Sequence, residues 1–281
     1  MADNTKLAAE KQPVEGYSKI GREKRNCLVI AFSNQKGGVG KSTSVVAAAG
    51  CLTKRGYSVL VVDTDPQSTA SSYLVPDFEE QEEGREASLY HLIMDENLSV
   101  PDSIVHTASG DLITASFLLY DMDRLGVGTS AIKEIVDEVR ERYDFVLIDT
   151  PPNLGWLQTA ALEASDYIVI PTKATAQSIR GIPTLFDTVY YVQNTNPDLT
   201  VLGFLITMSN KRVLACRAIA EELETIAQQV GCQVFPAWIR LAEGLFGESE
   251  AMHTNIFRMH RKNNALKDYE AFVDALLEEV N

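Results

Sequence analysis

Mainly apolar runs punctuate the chain at 27–32, 58–62, 144–149, 166–170 and 199–207, each short enough to be a buried strand. A further short strand is expected over 111–116. Between these runs the apolar positions recur with a helical period. The segment 89–94 reads as a short helix, and 131–143 as a longer one with Ile132, Ile135, Val136 and Val139 along the side that lies on a sheet. Small residues over 45–52 form a helical run directly behind the first strand, and 266–280 repeats apolar residues at 266, 269, 272, 273, 276, 277 and 280.

Two stretches lack either rhythm. Residues 1–26 are polar and mixed in charge, so a mobile tail is expected, with Lys19, Arg22, Lys24 and Arg25 as a lesser candidate for contact with DNA. The run at 77–86 is strongly acidic and reads as a solvated loop.

Composition narrows the picture further. With 45% hydrophobic residues in 281, a sizeable core is expected, and no apolar run approaches the roughly 20 residues that cross a bilayer. The charged amino terminus lacks the apolar centre of a secretion signal, so a cytoplasmic protein is expected. Cys27, Cys51, Cys216 and Cys232 show no C-x-x-C spacing and read as reduced core residues. His91, His106, His253 and His260 form no metal-binding pattern. A formal net charge of −14 disfavours a protein whose whole surface grips nucleic acid, so any DNA contact needs a local basic patch.

The chemistry concentrates at 33–44, S-N-Q-K-G-G-V-G-K-S-T-S, between the first strand and the first helix. Strand, glycine-rich turn and helix are the context of a phosphate-binding loop. Gly37, Gly38 and Gly40 let the backbone turn its N–H groups toward phosphate oxygens, and the helix beginning beside Lys41 adds the positive end of its dipole. Lys41 would reach the β and γ phosphates, and the Ser42 hydroxyl would ligate Mg²⁺. The strand 58–62 runs into D-T-D-P-Q at 63–67, and the strand within 144–149 into D-T-P-P. Acids at the carboxyl ends of such strands fall where open α/β sheets hold ligands, and Asp149 would hold a water of the Mg²⁺ shell.

The loop departs from the common form G-x-x-x-x-G-K-[ST] by having Gln35 in place of glycine and an additional Lys36. It resembles the deviant Walker A box of the ParA/MinD group, and N-Q-K-G-G-V-G-K-S-T is similar in particular to the ParA/Soj-type DNA partition ATPases. The resemblance covers most of 27–250. It implies a single-domain α/β fold over 27–281, with a mainly parallel twisted sheet and helices on both faces. It also implies an ATP hydrolase that dimerises around ATP and Mg²⁺. Nucleotide contacts would come from Lys36, Gly37, Gly38, Val39, Gly40, Lys41, Ser42 and Thr43, with Met208 and Pro236 lining the adenine. Lys36 would reach the partner subunit's nucleotide. Asp65 matches the acid of the first switch that positions the attacking water, and Asp149 with the following T-P-P-N-L-G matches the second switch.

Further along, the resemblance implies sequence-independent binding of duplex DNA through Lys211, Arg212 and Arg240, and a ParB-like partner that stimulates hydrolysis. Arg217, Arg258, Arg261 and Lys262 extend the basic set. Two departures stand out: Thr175 where relatives carry an acid, and Ala237 where they carry an arginine. Asn210, Lys211 and Arg212 begin like a guanine-reading box, yet Val213 replaces its aspartate. Other outcomes compatible with these residues are positioning of a protein assembly, and an ATP-switched DNA-binding regulator with little turnover. The acidic face of 266–280, with Glu270, Asp274, Glu278 and Glu279, counts against a membrane anchor and for core packing.

Overall fold

The computed structural model describes residues 27–75, 78, 87–242 and 263–280. The expectations for the tail 1–26, for the acidic run beyond Phe78, and for Arg258, Arg261 and Lys262 lie outside these residues.

Strands β1 (Leu28–Phe32), β2 (Val59–Asp63), β3 (Val105–Thr107), β4 (Gly110–Ile113), β5 (Phe145–Asp149), β6 (Tyr167–Lys173), β7 (Thr200–Thr207) and β8 (Gln233–Trp238) build one sheet. Its order is β3-β4-β2-β5-β1-β6-β7-β8. Pairing is parallel except between β3 and β4, as the resemblance implies. From β1 the chain moves to one side for β2, then returns to the other side for β6. The carboxyl end of β1 is therefore a topological switch point, the place where such sheets leave a crevice for ligands.

Every central strand is apolar on both sides because helices cover both faces. Ile30 and Phe32 of β1 join one core with the first helix, α1 (Lys41–Lys54), and the last described helix, which spans Asn264–Glu279. Val29 and Ala31 face the opposite core, where the apolar residues of Ala131–Val139, Trp156–Glu163, Ile182–Val192 and Leu214–Val230 pack. Numbered in chain order, the helices after α1 are α2 (Thr69–Leu74), α3 (Leu89–Met94), α4 (Met122–Leu125), α5 (Ala131–Val139), α6 (Trp156–Glu163), α7 (Ala176–Arg180), α8 (Ile182–Val192), α9 (Leu214–Val230) and α10 (Asn264–Glu279). Helix α1 is buried over nearly its whole length, which is why its residues are small: Ala47, Ala48, Ala49 and Gly50 admit close approach of the sheet and α10.

Helix α10 behaves as its apolar period predicts. Leu266, Tyr269, Phe272, Val273 and Leu276 are buried, each contributing roughly 1.5–3 kcal/mol by burial, and Phe272 meets Phe32 and Phe235 edge-on. Its acids face α1: Glu270 pairs with Lys54 at 2.7 Å and Asp274 with Arg55 at 2.5 Å.

Three boundaries differ from the sequence expectation. The helix at 131 ends at Val139 and tightens into a 3₁₀ turn, Arg140–Arg142, while β6 runs on to Lys173. The strand expected over 111–116 is Gly110–Ile113, and the next residues lead into a 3₁₀ helix, Phe117–Asp121. Strand β8, unmarked by periodicity, sits at the sheet edge, where Pro236 forfeits no ladder bond. Gly203 admits it, since a Cβ there would lie 2.3 Å from the Gln233 carbonyl oxygen.

Candidate functional site

The loop 33–40 leaves β1 between the ends of β5 and β6 and is fastened to both neighbours. Thr150 Oγ1 donates to the Phe32 carbonyl at 2.9 Å, and Gln158 Nε2 to Ser33 Oγ at 3.0 Å. Asn34 Nδ2 donates to the Pro171 carbonyl at 2.7 Å while its Oδ1 accepts from Lys36 N–H at 2.9 Å. Further round, Gly38 and Gly40 take φ of 66° and 83°, a left-handed backbone that side chains resist. Gly40 carbonyl then accepts the Ser44 N–H at 2.9 Å and starts α1.

Among the described residues, the backbone N–H groups from Gly37 to Thr43 donate to no protein acceptor. A run of unpaired donors at a helix start, with the helix dipole behind it, is a cradle for an anion.

The side chains around the loop are charged and buried. Lys41 is 6% exposed, and its Nζ reaches the Lys36 carbonyl at 3.3 Å. Burial lowers its pKa, and the charges of Asp149 and Asp65 oppose that shift. Asp149 is fully buried at the end of β5, in register with Phe32 of β1 and Asp63 of β2. Neither of its carboxylate oxygens has a hydrogen-bond partner among the described residues. Burial and the neighbouring Asp63 charge push its pKa well above the usual carboxylate range. The nearby Ser42 hydroxyl and Lys41 draw it back, with Ser42 short of a full hydrogen bond.

Asp63 and Asp65, two residues apart, do different things. Asp63 is committed to the fold: it accepts from Ser71 N–H at 2.8 Å, Ser71 Oγ at 2.7 Å and Asp65 N–H at 3.1 Å. Burial still pushes it up to about 7 against the pull of Ser71. Among the described residues the Asp65 carboxylate accepts from Gln67 N–H alone, at 3.0 Å, and its pKa is raised by burial while Gln67 and Lys41 lower it. Ser68 follows with φ of 53°, a left-handed serine at the turn where the acids are presented.

Lys36 lies on the opposite rim, half-buried, with Nζ resting on Ser178 Oγ at 3.4 Å and Thr175 Oγ1 at 3.5 Å. Those are hydroxyls, and no carboxylate pairs with it among the described residues.

A buried carboxylate without partners, a hydroxyl beside it and unpaired N–H donors form the donor set that suits Mg²⁺ with a phosphate. Mg²⁺ keeps most of its waters and takes one or two protein ligands, whereas among the described residues no cluster of three metal-ligating side chains exists. Ser42 and Asp149 fit that ion.

Of the other expected positions, Met208 is brought to the loop: its Cε lies 3.4 Å from where a Cβ on Gly40 would sit, and its φ is 49°. Pro236 is exposed on β8, and its carbonyl accepts from Lys211 Nζ at 3.0 Å. Lys211 also lies over the Trp238 ring at 5.3 Å. Arg240 is engaged by α10, with Nε and Nη2 donating to the two oxygens of Asp268 at 2.7 and 2.8 Å. Arg212 has no ion-pair partner among the described residues.

Sequence reasoning missed the contacts that fasten the loop, made by Asn34 within it and by Thr150, Gln158 and Thr207 outside it. It also missed Tyr120, whose hydroxyl takes a hydrogen bond from the Gln67 amide. Position at the carboxyl end of a strand was the signal available for Thr207.

A family model described as an AAA domain matches residues 27–201. The sporulation initiation inhibitor protein Soj of Bacillus subtilis is 36% identical over 223 residues, 76% of this chain and 86% of that protein. The chromosome-partitioning ATPase Soj of Thermus thermophilus is 34% identical over 235 residues, covering 80% and 87%. Among solved structures, cobyrinic acid a,c-diamide synthase from Mycobacterium smegmatis with bound ATP analogue and magnesium superposes with a TM-score of 0.75 at 28% identity, covering 90% of this chain and 95% of that one.

Proposed function

The chain belongs to the ParA/Soj-type partition ATPases, P-loop NTPases of the ParA/MinD group, and from that premise we propose an ATP-driven dimer switch that carries DNA or DNA-bound cargo. The observation that carries it is the buried Asp149 carboxylate without partners, beside Lys41 and a loop of unpaired N–H donors.

In this reading Gly37 to Thr43 hold the phosphates of ATP through the backbone, and Lys41 neutralises their charge. Ser42 and Asp149 would hold Mg²⁺, which would supply charge neutralisation at the phosphates. Asp65 orients the attacking water, because it is the acid left uncommitted while Asp63 holds Ser71. Phosphoryl transfer asks little covalent chemistry of a protein, so positioning and charge carry the rate. Lys36, parked on two hydroxyls, is free to swing to a nucleotide on a second copy. Met208 and, at the neighbouring edge strand, Pro236 border the base.

The experiment is ATP hydrolysis measured alone, with duplex DNA, and with a ParB-like partner; turnover that rises with both additions is expected. Replacing Asp65 with alanine should lower turnover about a hundredfold or more while leaving ATP bound and the dimer assembled, as read by light scattering. Brisk hydrolysis in that variant would sink the assignment of Asp65.

For DNA, of Lys211, Arg212 and Arg240 the side chain without a partner among the described residues is Arg212, whereas Arg240 is held by Asp268 and Lys211 by Pro236 and Trp238. Binding through phosphate contacts should weaken as salt rises, by about 0.9 log units per log unit of salt for each phosphate neutralised. Arg212→Ala should flatten that slope by about one contact per subunit, read by fluorescence anisotropy at several salt concentrations. An unchanged slope would remove Arg212 from the interface. The reading places the protein in the cytoplasm, on the nucleoid; no helix among the described residues is long and apolar enough to cross a membrane.

A further inference from the structure

We propose that Thr207 is a positioning residue for the nucleotide phosphates, acting through the peptide that joins Val39 to Gly40. This role rests on the phosphate-loop reading of 33–44.

Thr207 is the last residue of β7, which is separated from β1 by β6, and its side chain crosses that gap. Its Oγ1 donates to the Val39 carbonyl at 2.7 Å, and both residues are buried, at 1% and 0% exposure. In a trans peptide the carbonyl and the following N–H point in opposite directions. Fixing the Val39 carbonyl against β7 therefore turns the Gly40 N–H away from β7, out of reach of a protein acceptor.

Glycine at position 40 is what makes such a hold necessary. With φ of 83° it occupies a region open to glycine, and the same freedom lets the preceding peptide rotate at little cost. The far side of Gly40 is already fixed, since its carbonyl accepts the Ser44 N–H as α1 begins. Only the near side needs an outside partner, and Thr207 is that partner. The end of β7 also abuts the loop sterically: Thr207 Cβ and Met208 Cε lie 3.9 and 3.4 Å from where a Gly40 Cβ would be. Without the hydroxyl, the Val39 carbonyl is a buried acceptor with no partner, and the peptide can rotate to offer the anion an oxygen instead of an N–H.

The test compares Thr207→Val and Thr207→Ala, which remove the hydroxyl, with Thr207→Ser, which keeps it. Binding of a fluorescent ADP is titrated, with melting of the nucleotide-free protein as a fold control. Expected is a rise of about tenfold in the ADP dissociation constant for both hydroxyl-free variants, with serine within about threefold of wild type. Alanine is included because a valine methyl would press on the carbonyl. ADP affinity within threefold of wild type in either folded hydroxyl-free variant overturns the proposal, as does a serine variant that loses as much as alanine. Wild-type protein that binds no ADP overturns the phosphate-loop reading and the role of Thr207 together. Wild-type binding with unaffected variants overturns the role of Thr207 alone.

Discussion

Replacing Asp149 with asparagine should lower ATP turnover by about a hundredfold or more and, in the same molecule, raise the stability of the nucleotide-free protein. The two effects share one cause. Asp149 is fully buried with both carboxylate oxygens unpaired among the described residues, beside Asp63, which is itself pushed up to about 7. An acid whose folded pKa is raised binds its proton more tightly in the folded state than in the unfolded chain. Stability is therefore greatest below the ordinary carboxylate pKa near 4 and falls as pH rises toward the folded value. As pH rises above the ordinary carboxylate range the wild type should lose stability through the raised Asp149 proton, and Asp149→Asn should remove that part of the pH dependence. Thermal melts at pH 5, 6.5 and 8 read it directly, with the variant's advantage widening as pH rises. If the two proteins melted in parallel across that range, Asp149 would not be the buried burden described.

The second large effect concerns Lys36. Lys36→Gln should abolish ATP-dependent self-association while leaving nucleotide binding to a single copy nearly intact, because Lys41 and the loop N–H groups stay in place. Among the described residues the Lys36 amine hydrogen-bonds to the hydroxyls of Thr175 and Ser178 and pairs with no carboxylate, so its removal should not disturb the fold. In a symmetric dimer the lysine acts twice. Losing two charge-assisted contacts of at least about 2 kcal/mol each raises the dimer dissociation constant by roughly a thousandfold. Sedimentation with ATP in an Asp65→Ala background, where hydrolysis cannot dissolve the complex, measures it. A dimer that survives the change would leave self-association without the cross-subunit lysine. The threonine at 175, where an acid would have pinned the amine in the free monomer, leaves that lysine available.

Elements with one unambiguous period were legible from the sequence, and those whose character comes from tertiary placement were not. The helix α10 and the strands β1, β2, β5 and β7 announced themselves because burial on one or both faces imposes a pattern. Strand β8 did not: Gln233–Trp238 carries a proline and pairs irregularly with β7 between Phe204 and Ile206. Strand β3 is three residues, two of them polar, paired through Val105–Leu112 and His106–Asp111 at the opposite edge. At the site, the loop and the acids at 63, 65 and 149 were visible because spacing within a few residues encodes them. The partner that makes Asp63 structural was not, since two of the three hydrogen bonds to it come from Ser71, eight residues on. Contacts such as Thr207 with Val39, 168 residues apart, leave no trace in local sequence.

The position of β1 in the middle of the sheet has a bearing on how the chain acquires its shape during synthesis. Leu28 pairs with Phe145 and Ile30 with Tyr167, so the first described strand waits for partners made more than a hundred residues later. Contacts this far apart in the chain slow folding, and until they form, an oily segment is exposed to other chains. The last layer over α1 arrives later still, with Tyr269 reaching Ser44 at 3.2 Å. A half-made chain should therefore hold no nucleotide, because the loop is not yet fastened between its neighbouring strands.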